Sequence, residues 1–449
     1  MKRLVIVSGA LALFTSTAFA TQSRLLALGM KETDNEGLYY IQDSRNIFQN
    51  PANINLFSNQ LVMEYGKYGR LLSASGSTRV TLDTNAKPKA QGGFVKRYGD
   101  LNYGFYYGNE SNTSALLRLV GTSAAAAANG TLGVSGPSAS KQLQSADNQL
   151  DFFVGGDRDL KWGANLVLAM GKDETNSAKN SAISSRFGVM DKKWDAHLNV
   201  SMGSKSSATD TVAVSGGATV SSTTINHEFK GKLGVQVGGS YLLNESLRAF
   251  GYIKHYSWEQ SDDYAYSAGQ IAVLGGQQGL VKGDFTSYYA GITQDYSFNS
   301  TDKVFLTLSL KKQDINMQFT NKGEVRHIVV PVTVAFETAA TEWLTFRGSI
   351  IQNVYGQKNN KNLSNLNVVA RSVITSTYGA NGKATLDNST EVNAGASLKF
   401  GSVTIDGVVS TTDVARNAAD TASSNVSDTK KGSLSLDNLM TRVALTYNF

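Results

Sequence analysis

Six basic residues, Lys230, Lys232, Lys311, Arg347, Lys399 and Arg442, and four acidic ones, Glu64, Asp151, Asp295 and Asp406, sit in stretches where apolar residues recur at every second position. In a strand, alternate side chains point to opposite faces, so these charges are expected to gather on the face opposite the apolar set. Such a face can select solutes by sign, because rings of charge set a local field. Six bases against four acids imply a mild preference for anions. Arg347, Lys399 and Arg442 lie in the last third of the chain, with Asp406 among them and Glu64 near the start. Opposed basic and acidic walls would give a transverse field that orients polar solutes.

Covalent and metal chemistry find little support. The chain has no cysteine, so disulfides and thiol catalysis are excluded. Its four histidines, His197, His227, His255 and His327, lack metal-ligand spacing. Neither a Gly-x-Ser-x-Gly elbow nor a phosphate loop occurs. No cofactor is expected. The formal charge is +6. That is too balanced for a nucleic-acid surface, and loss of Lys2 and Arg3 would lower it further.

The elements that must position the charges read as strands. Period-2 alternation runs through "WGANLVLAMG", "IVVPVTVAF", "EVNAGASLKF" and the terminal "LMTRVALTYNF". Glycine is abundant at 43 and proline scarce at 4, which suits a large sheet using every ladder N–H. Short polar turns are expected near 99–100, 157–159, 191–193, 244–246, 299–302, 339–342 and 401–402. They alternate with longer Ser-, Thr-, Asn- and Gly-rich loops near 69–89, 112–147, 174–182, 204–226, 259–283, 314–323, 355–389 and 411–435. Seven short turns and eight long loops imply sixteen strands, an even number with both ends on the short-turn side.

Residues 1–20, "MKRLVIVSGALALFTSTAFA", combine a basic start, a short apolar run and the small-x-small site Ala18-Phe19-Ala20, the pattern of a secretory leader. No later stretch approaches the roughly 18 continuous apolar residues of a membrane helix. An exported chain of alternating strands therefore reads as all-β, a transmembrane antiparallel barrel of sixteen strands with short periplasmic turns and long extracellular loops. Trp162, Trp194, Trp343, Tyr241 and Phe400 adjoin short turns and Phe449 ends the chain, so these six are expected to form an aromatic girdle at one membrane interface.

With these features the chain resembles a Gram-negative outer-membrane barrel of the porin type. The terminal "VALTYNF" is similar to the signal read by the barrel assembly machinery. "IFQNPANI" resembles the Asn-Pro-Ala segment of FadL-type transporters of hydrophobic compounds, where it belongs to a hatch inside the barrel. Sixteen strands depart from the fourteen expected of that family. The segment is also similar to the start of major outer-membrane porins of predatory deltaproteobacteria. The division implied is a leader at 1–20, a periplasmic lead-in or lumenal hatch at 21–59, and a barrel at 60–449. The function implied is passive diffusion of small hydrophilic solutes and ions. The alternatives are a hatch-bearing transporter of hydrophobic compounds and a structural barrel. Outer-membrane lipid, lipopolysaccharide, the assembly machinery and small solutes are the implied partners, with a homotrimer by analogy to porins. Loop 112–147 holds Leu116, Leu117, Leu119 and Val120, and is expected to fold into the barrel mouth or against a neighbouring subunit.

Overall fold

The computed structural model describes residues 21–30, 38–66, 73–75, 79–81, 89–109, 148–173, 178–216, 219–264, 279–299, 301–318, 322–363, 381–385, 390–411 and 439–449. The leader and loop 112–147 lie outside the described residues. The strands in chain order are β1 (Gln60–Gly66), β2 (Ser73–Ser75), β3 (Arg79–Thr81), β4 (Lys89–Tyr98), β5 (Leu101–Tyr107), β6 (Asn148–Asp157), β7 (Lys161–Asp173), β8 (Ala178–Met190), β9 (Trp194–Gly216) and β10 (Thr219–Leu242). They continue with β11 (Leu247–Tyr264), β12 (Gly279–Ser297), β13 (Lys303–Gln318), β14 (Lys322–Ala339), β15 (Leu344–Lys361), β16 (Gly382–Thr385), β17 (Thr390–Phe400), β18 (Val403–Thr411) and β19 (Leu439–Asn448).

β2 and β3 form a small separate hairpin, and the other strands make one 17-stranded antiparallel sheet. Within it β16 pairs only with the outer part of β15, while β17 pairs with the inner part. The wall therefore has sixteen strands. It closes where β1 pairs with both β4 and β19, from Gln60↔Asn448 to Gly66↔Arg442. The Phe449 N–H donates to the Asn59 carbonyl at 3.1 Å, so the chain is paired to its last residue. Closure leaves no edge, which is what a sheet in lipid requires.

Several predicted loops are shorter than expected because strands run into them. The stretch 204–226 was expected as a loop, yet β9 and β10 continue through it to residues 216 and 219. Its Ser, Thr and Val content reads as loop-like by polarity, but Thr and Val favour extended backbone once a partner strand is available. The same extension shortens the expected loops at 174–182, 259–283 and 314–323.

The outer face is apolar. Leu306, Leu308 and Leu310 on β13, Val235 and Val237 on β10, and Met63 and Tyr65 on β1 are all exposed, while their strand neighbours turn inward and are covered. What covers them is the N-terminal segment, which lies inside the barrel. It consists of α1 (Gln22–Ala27) and two 3-10 turns, Ser44–Phe48 and Pro51–Leu56. Each start is capped by its own side chain: Thr21 accepts from the Arg24 N–H, Asp43 from the Arg45 N–H, and Asn50 from the Ala52 N–H, with Pro51 at the first position. All six residues of α1 are buried. A helix that short is marginal alone in water, so the lumen must hold it.

Candidate functional site

The inner segment is bound to the wall by buried ion pairs. Arg24 pairs with Asp43 of its own segment at 2.9 Å and with Glu337 of β14 at 2.9 Å. Glu337 also holds Arg347 of β15 at 2.5 Å, and Arg347 reaches Asp406 of β18 at 2.7 Å. The Thr21 hydroxyl donates to Asp406 at 3.1 Å. Further round, Arg45 pairs with Glu64 of β1 at 3.1 Å and donates to the Tyr106 hydroxyl at 3.1 Å and to Asn109. The Gln22 backbone N–H donates to Glu64 at 2.6 Å, and Gln91 bridges Glu64 and Gln22. Desolvated charges must be paired or they are prohibitively costly, which makes this network all-or-nothing. Burial pushes the Asp43 carboxyl up to about 7, with the Arg24 guanidinium pulling the other way.

Apolar contacts fill the rest. Leu25, Leu26, Leu28, Met30 and Ile41 cluster with Phe305, Ala335 and Val408 of the wall. A second cluster joins Ile47, Phe48 and Ile54 to Val95, Tyr106 and Phe153. Phe48 meets Tyr106 and Phe153 edge-on, with centroids 5.0 and 5.6 Å apart, and the Arg45 guanidinium stacks 4.7 Å from the Phe48 centroid. Tyr39 stacks on Phe250 at 5.3 Å and on His197 at 6.0 Å. The segment thus reaches wall strands from β1 round to β18.

The Asn-Pro-Ala stretch sits on glycines. A Cβ at Gly163 would strike the Pro51 carbonyl, one at Gly188 the Asn50 side-chain oxygen, and one at Gly155 Ile54. Asn50 donates to the Val189 carbonyl at 3.2 Å and to Asp195 at 3.3 Å, and Asn55 to the Trp162 carbonyl at 2.8 Å. These glycines therefore admit a second layer of backbone against the wall. Gly188→Val is expected to unseat the Pro51–Leu56 turn, costing about 1–3 kcal/mol as an overpacking change. Deuterium uptake over 44–57 should accelerate while the heat-modifiable mobility of the barrel is kept. Unchanged uptake would remove the glycine seat from the account.

Two spaces flank the turn Ser44–Phe48. One is a crevice lined by Ile47, Phe48, Val62, Val95, Tyr106 and Phe153, and also by Phe94 and Phe105 on the other face of the wall, across Gly93. As it stands, it has room for little more than one water molecule. The other is a polar vestibule of about 210 Å³ lined by Gln42, Asn46, Gln49, Asn50 and Asn53 and by Asp191, Trp194 and Arg248 near the short turns. Ser44, Arg45 and Ile47 face the crevice and Asn46 and Gln49 the vestibule, so this turn is the partition between them.

Of the residues expected in the lumen, Glu64, Asp151, Arg347 and Asp406 face inward and are buried. They meet counter-charges and not open water. Asp151 accepts from Gln149 at 2.7 Å and pairs with Arg186 at 2.9 Å. Lys311 occupies an inward position, between the outward Leu310 and Lys312. Asp295 and Lys399 lie at the short-turn rim, where Asp295 accepts from Ser297 at 3.1 Å and Lys399 is exposed. Arg442 pairs with Gly66 by backbone, and its side chain lies outside the described residues. Lys230 and Lys232 do not face the lumen. A bulge at Gly231–Gly234 adds one residue to β10 opposite β11 and reverses the parity above it. Both lysines stand on the outer face, paired with Glu228 at 2.8 Å and Glu259 at 2.6 Å. Trp162, Trp194, Trp343, Tyr241, Phe400 and Phe449 are exposed beside short turns or at the chain end. The expectation missed Glu337 and Arg186, although each alternates with an outward phenylalanine, Phe336 or Phe187. It missed Arg24, Asp43 and Arg45 because no period marks them.

A closed sixteen-strand antiparallel sheet with an apolar outer band and paired chain ends is an integral outer-membrane β-barrel. Here the lumen is occupied by the chain's own N-terminal segment. No family model matches the chain, and no curated protein matches its sequence. Among solved structures it is similar to the toluene transporter TbuX of Ralstonia pickettii, with 12% identity, a TM-score of 0.41 and coverage of 96% of this chain and 98% of that one. It is similar to the toluene transporter TodX of Pseudomonas putida, with 11% identity, a TM-score of 0.37 and coverage of 96% and 98%. It is also similar to a FadL homologue of Pseudomonas aeruginosa, with 10% identity, a TM-score of 0.41 and coverage of 94% and 98%. The resemblance to porins of predatory deltaproteobacteria has no support in these comparisons.

Proposed function

We propose that this barrel is a hatch-gated channel for small apolar molecules, in place of the open hydrophilic pore that the alternating charges suggested. The observation that carries this reading is the crevice between Phe48 of the hatch and Val62, Val95, Tyr106 and Phe153 of the wall, an apolar space directly beside the hatch. A hydrophilic solute would find its wall charges already engaged by Arg24, Arg45 and Arg347. An apolar guest gains by leaving water and must displace Phe48, after which a shift of the Ser44–Phe48 partition joins the crevice to the vestibule. Aromatic lining favours a flat ring as cargo.

The outer face supports a partner of the opposite character. Above the apolar band, Lys230, Lys232, Lys282, Lys312 and Arg326 alternate with Glu228, Glu259, Asp314 and Glu324. That height and mixed charge suit the phosphorylated head groups of lipopolysaccharide. The paired C-terminal strand ending at Phe449 is the proposed handle for the assembly machinery.

Binding is tested with fluorobenzene by fluorine NMR on the detergent-solubilised protein. Saturable line broadening is expected, and Phe153→Asp, which puts a carboxylate in the crevice, should weaken it about tenfold or more. Equal broadening with both proteins, or none with either, would sink the apolar-cargo reading.

A further inference from the structure

The buried charges between the hatch and the wall do not balance among the described residues. Four carboxylates, Asp43, Glu64, Glu337 and Asp406, face three guanidiniums, Arg24, Arg45 and Arg347. None of these side chains is more than 9% exposed. A surplus negative charge there has no water to screen it, so the protein must supply a further cation or a proton.

The register shows where that cation belongs. Glu64 of β1 and Asp406 of β18 both stand opposite Ala444 of β19, one on either side. The alanine offers neither carboxylate a polar partner, and the start of the hatch lies over it. Thr21 donates its hydroxyl to Asp406 at 3.1 Å, and the next residue, Gln22, donates its backbone N–H to Glu64 at 2.6 Å. Thr21 itself is 0% exposed. It is also the first residue after Ala18-Phe19-Ala20, the expected cleavage site of the leader.

We propose that leader removal makes the missing cation: the α-ammonium of Thr21 docks between Asp406 and Glu64 and completes the closed hatch. Water hydrolyses the Ala20–Thr21 amide. Ala20 departs as a carboxylate, and the Thr21 amine takes up a proton to become the fourth buried cation. Closure then requires maturation, since a chain still joined to its leader carries an uncharged amide at this place. This inference concerns closure alone and does not depend on the cargo.

The test uses mature protein isolated from outer membranes. Its first residue by N-terminal sequencing is expected to be Thr21. An amine-reactive succinimidyl ester at pH 7 should modify that α-amine far more slowly in the folded barrel than after unfolding, because an ion pair that raises its pKa by one unit removes about nine-tenths of the free amine. Outward lysines such as Lys230 and Lys322 serve as the internal standard. A different first residue, or equal modification of Thr21 in both states, overturns the proposal. Inserting Gly-Ser between Ala20 and Thr21 moves the charge away, and is expected to give a barrel of normal heat-modifiable mobility with a leak to ions. An inserted chain that stays closed also overturns it, and leaves Arg442 as the cation to examine.

Discussion

Purified intact protein in a planar bilayer is expected to show no discrete ionic steps, and the same barrel lacking residues 21–57 is expected to show persistent ohmic ones. The physical reason is geometric. A sixteen-strand barrel encloses a lumen wide enough for water, whereas about eight strands would be filled by wall side chains alone. Here the width is taken up by a segment in which α1 and both 3-10 turns are buried. Excision should leave Glu64, Asp151, Glu337 and Asp406 facing water with Arg186, Arg347 and the inward Lys311, four acids against three bases among the described residues, so the opened pore should lean toward cations. That is the reverse of the preference implied by the sequence. A steady ohmic current from the intact protein would return the assignment to a hydrophilic porin. A silent but folded deletion variant would show that another part of the chain closes the lumen.

Glu337→Ala is expected to weaken hatch docking by about 3–5 kcal/mol, the cost of removing one member of a buried ionic group. Glu337 is the carboxylate shared by Arg24 of the hatch and Arg347 of the wall. Its loss leaves Arg24 with Asp43 and Arg347 with Asp406, so two guanidiniums each lose a counter-charge inside a closed barrel. At 1.4 kcal/mol per decade, the undocked fraction should rise by two to nearly four orders of magnitude. Exchange of the α1 amides, read by deuterium uptake over 21–30, should accelerate by a comparable factor, with intermittent conductance in bilayers. Glu337→Asp, which keeps the charge on a shorter stem, should recover part of the protection. If Glu337→Ala exchanges at the native rate, the ion pairs are not what holds the hatch.

The sequence by itself determined the wall. Alternation such as Leu306, Leu308 and Leu310 is local and has a fixed period, and lipid permits only one solution for unpaired backbone. The short turns, the pairing of β1 with a terminal strand ending in Phe449, and the outward aromatic residues follow from the same constraint. The tertiary structure decided what fills the wall. Arg24 and Glu337 are 313 residues apart, and no spacing rule joins a guanidinium in an aperiodic segment to a carboxylate on the fourteenth strand. The glycine seat was equally hidden: Gly155, Gly163 and Gly188 look like ordinary strand glycines until Asn50, Pro51 and Ile54 come to rest on them. Lys230 and Lys232 show the limit of parity itself. One extra residue at a bulge turns every side chain above it to the other face, and that extra residue is set by register with β11, not by the composition of β10. A two-fold period records which face a side chain takes only while the ladder is unbroken. What occupies the space behind that face depends on contacts made across the whole barrel.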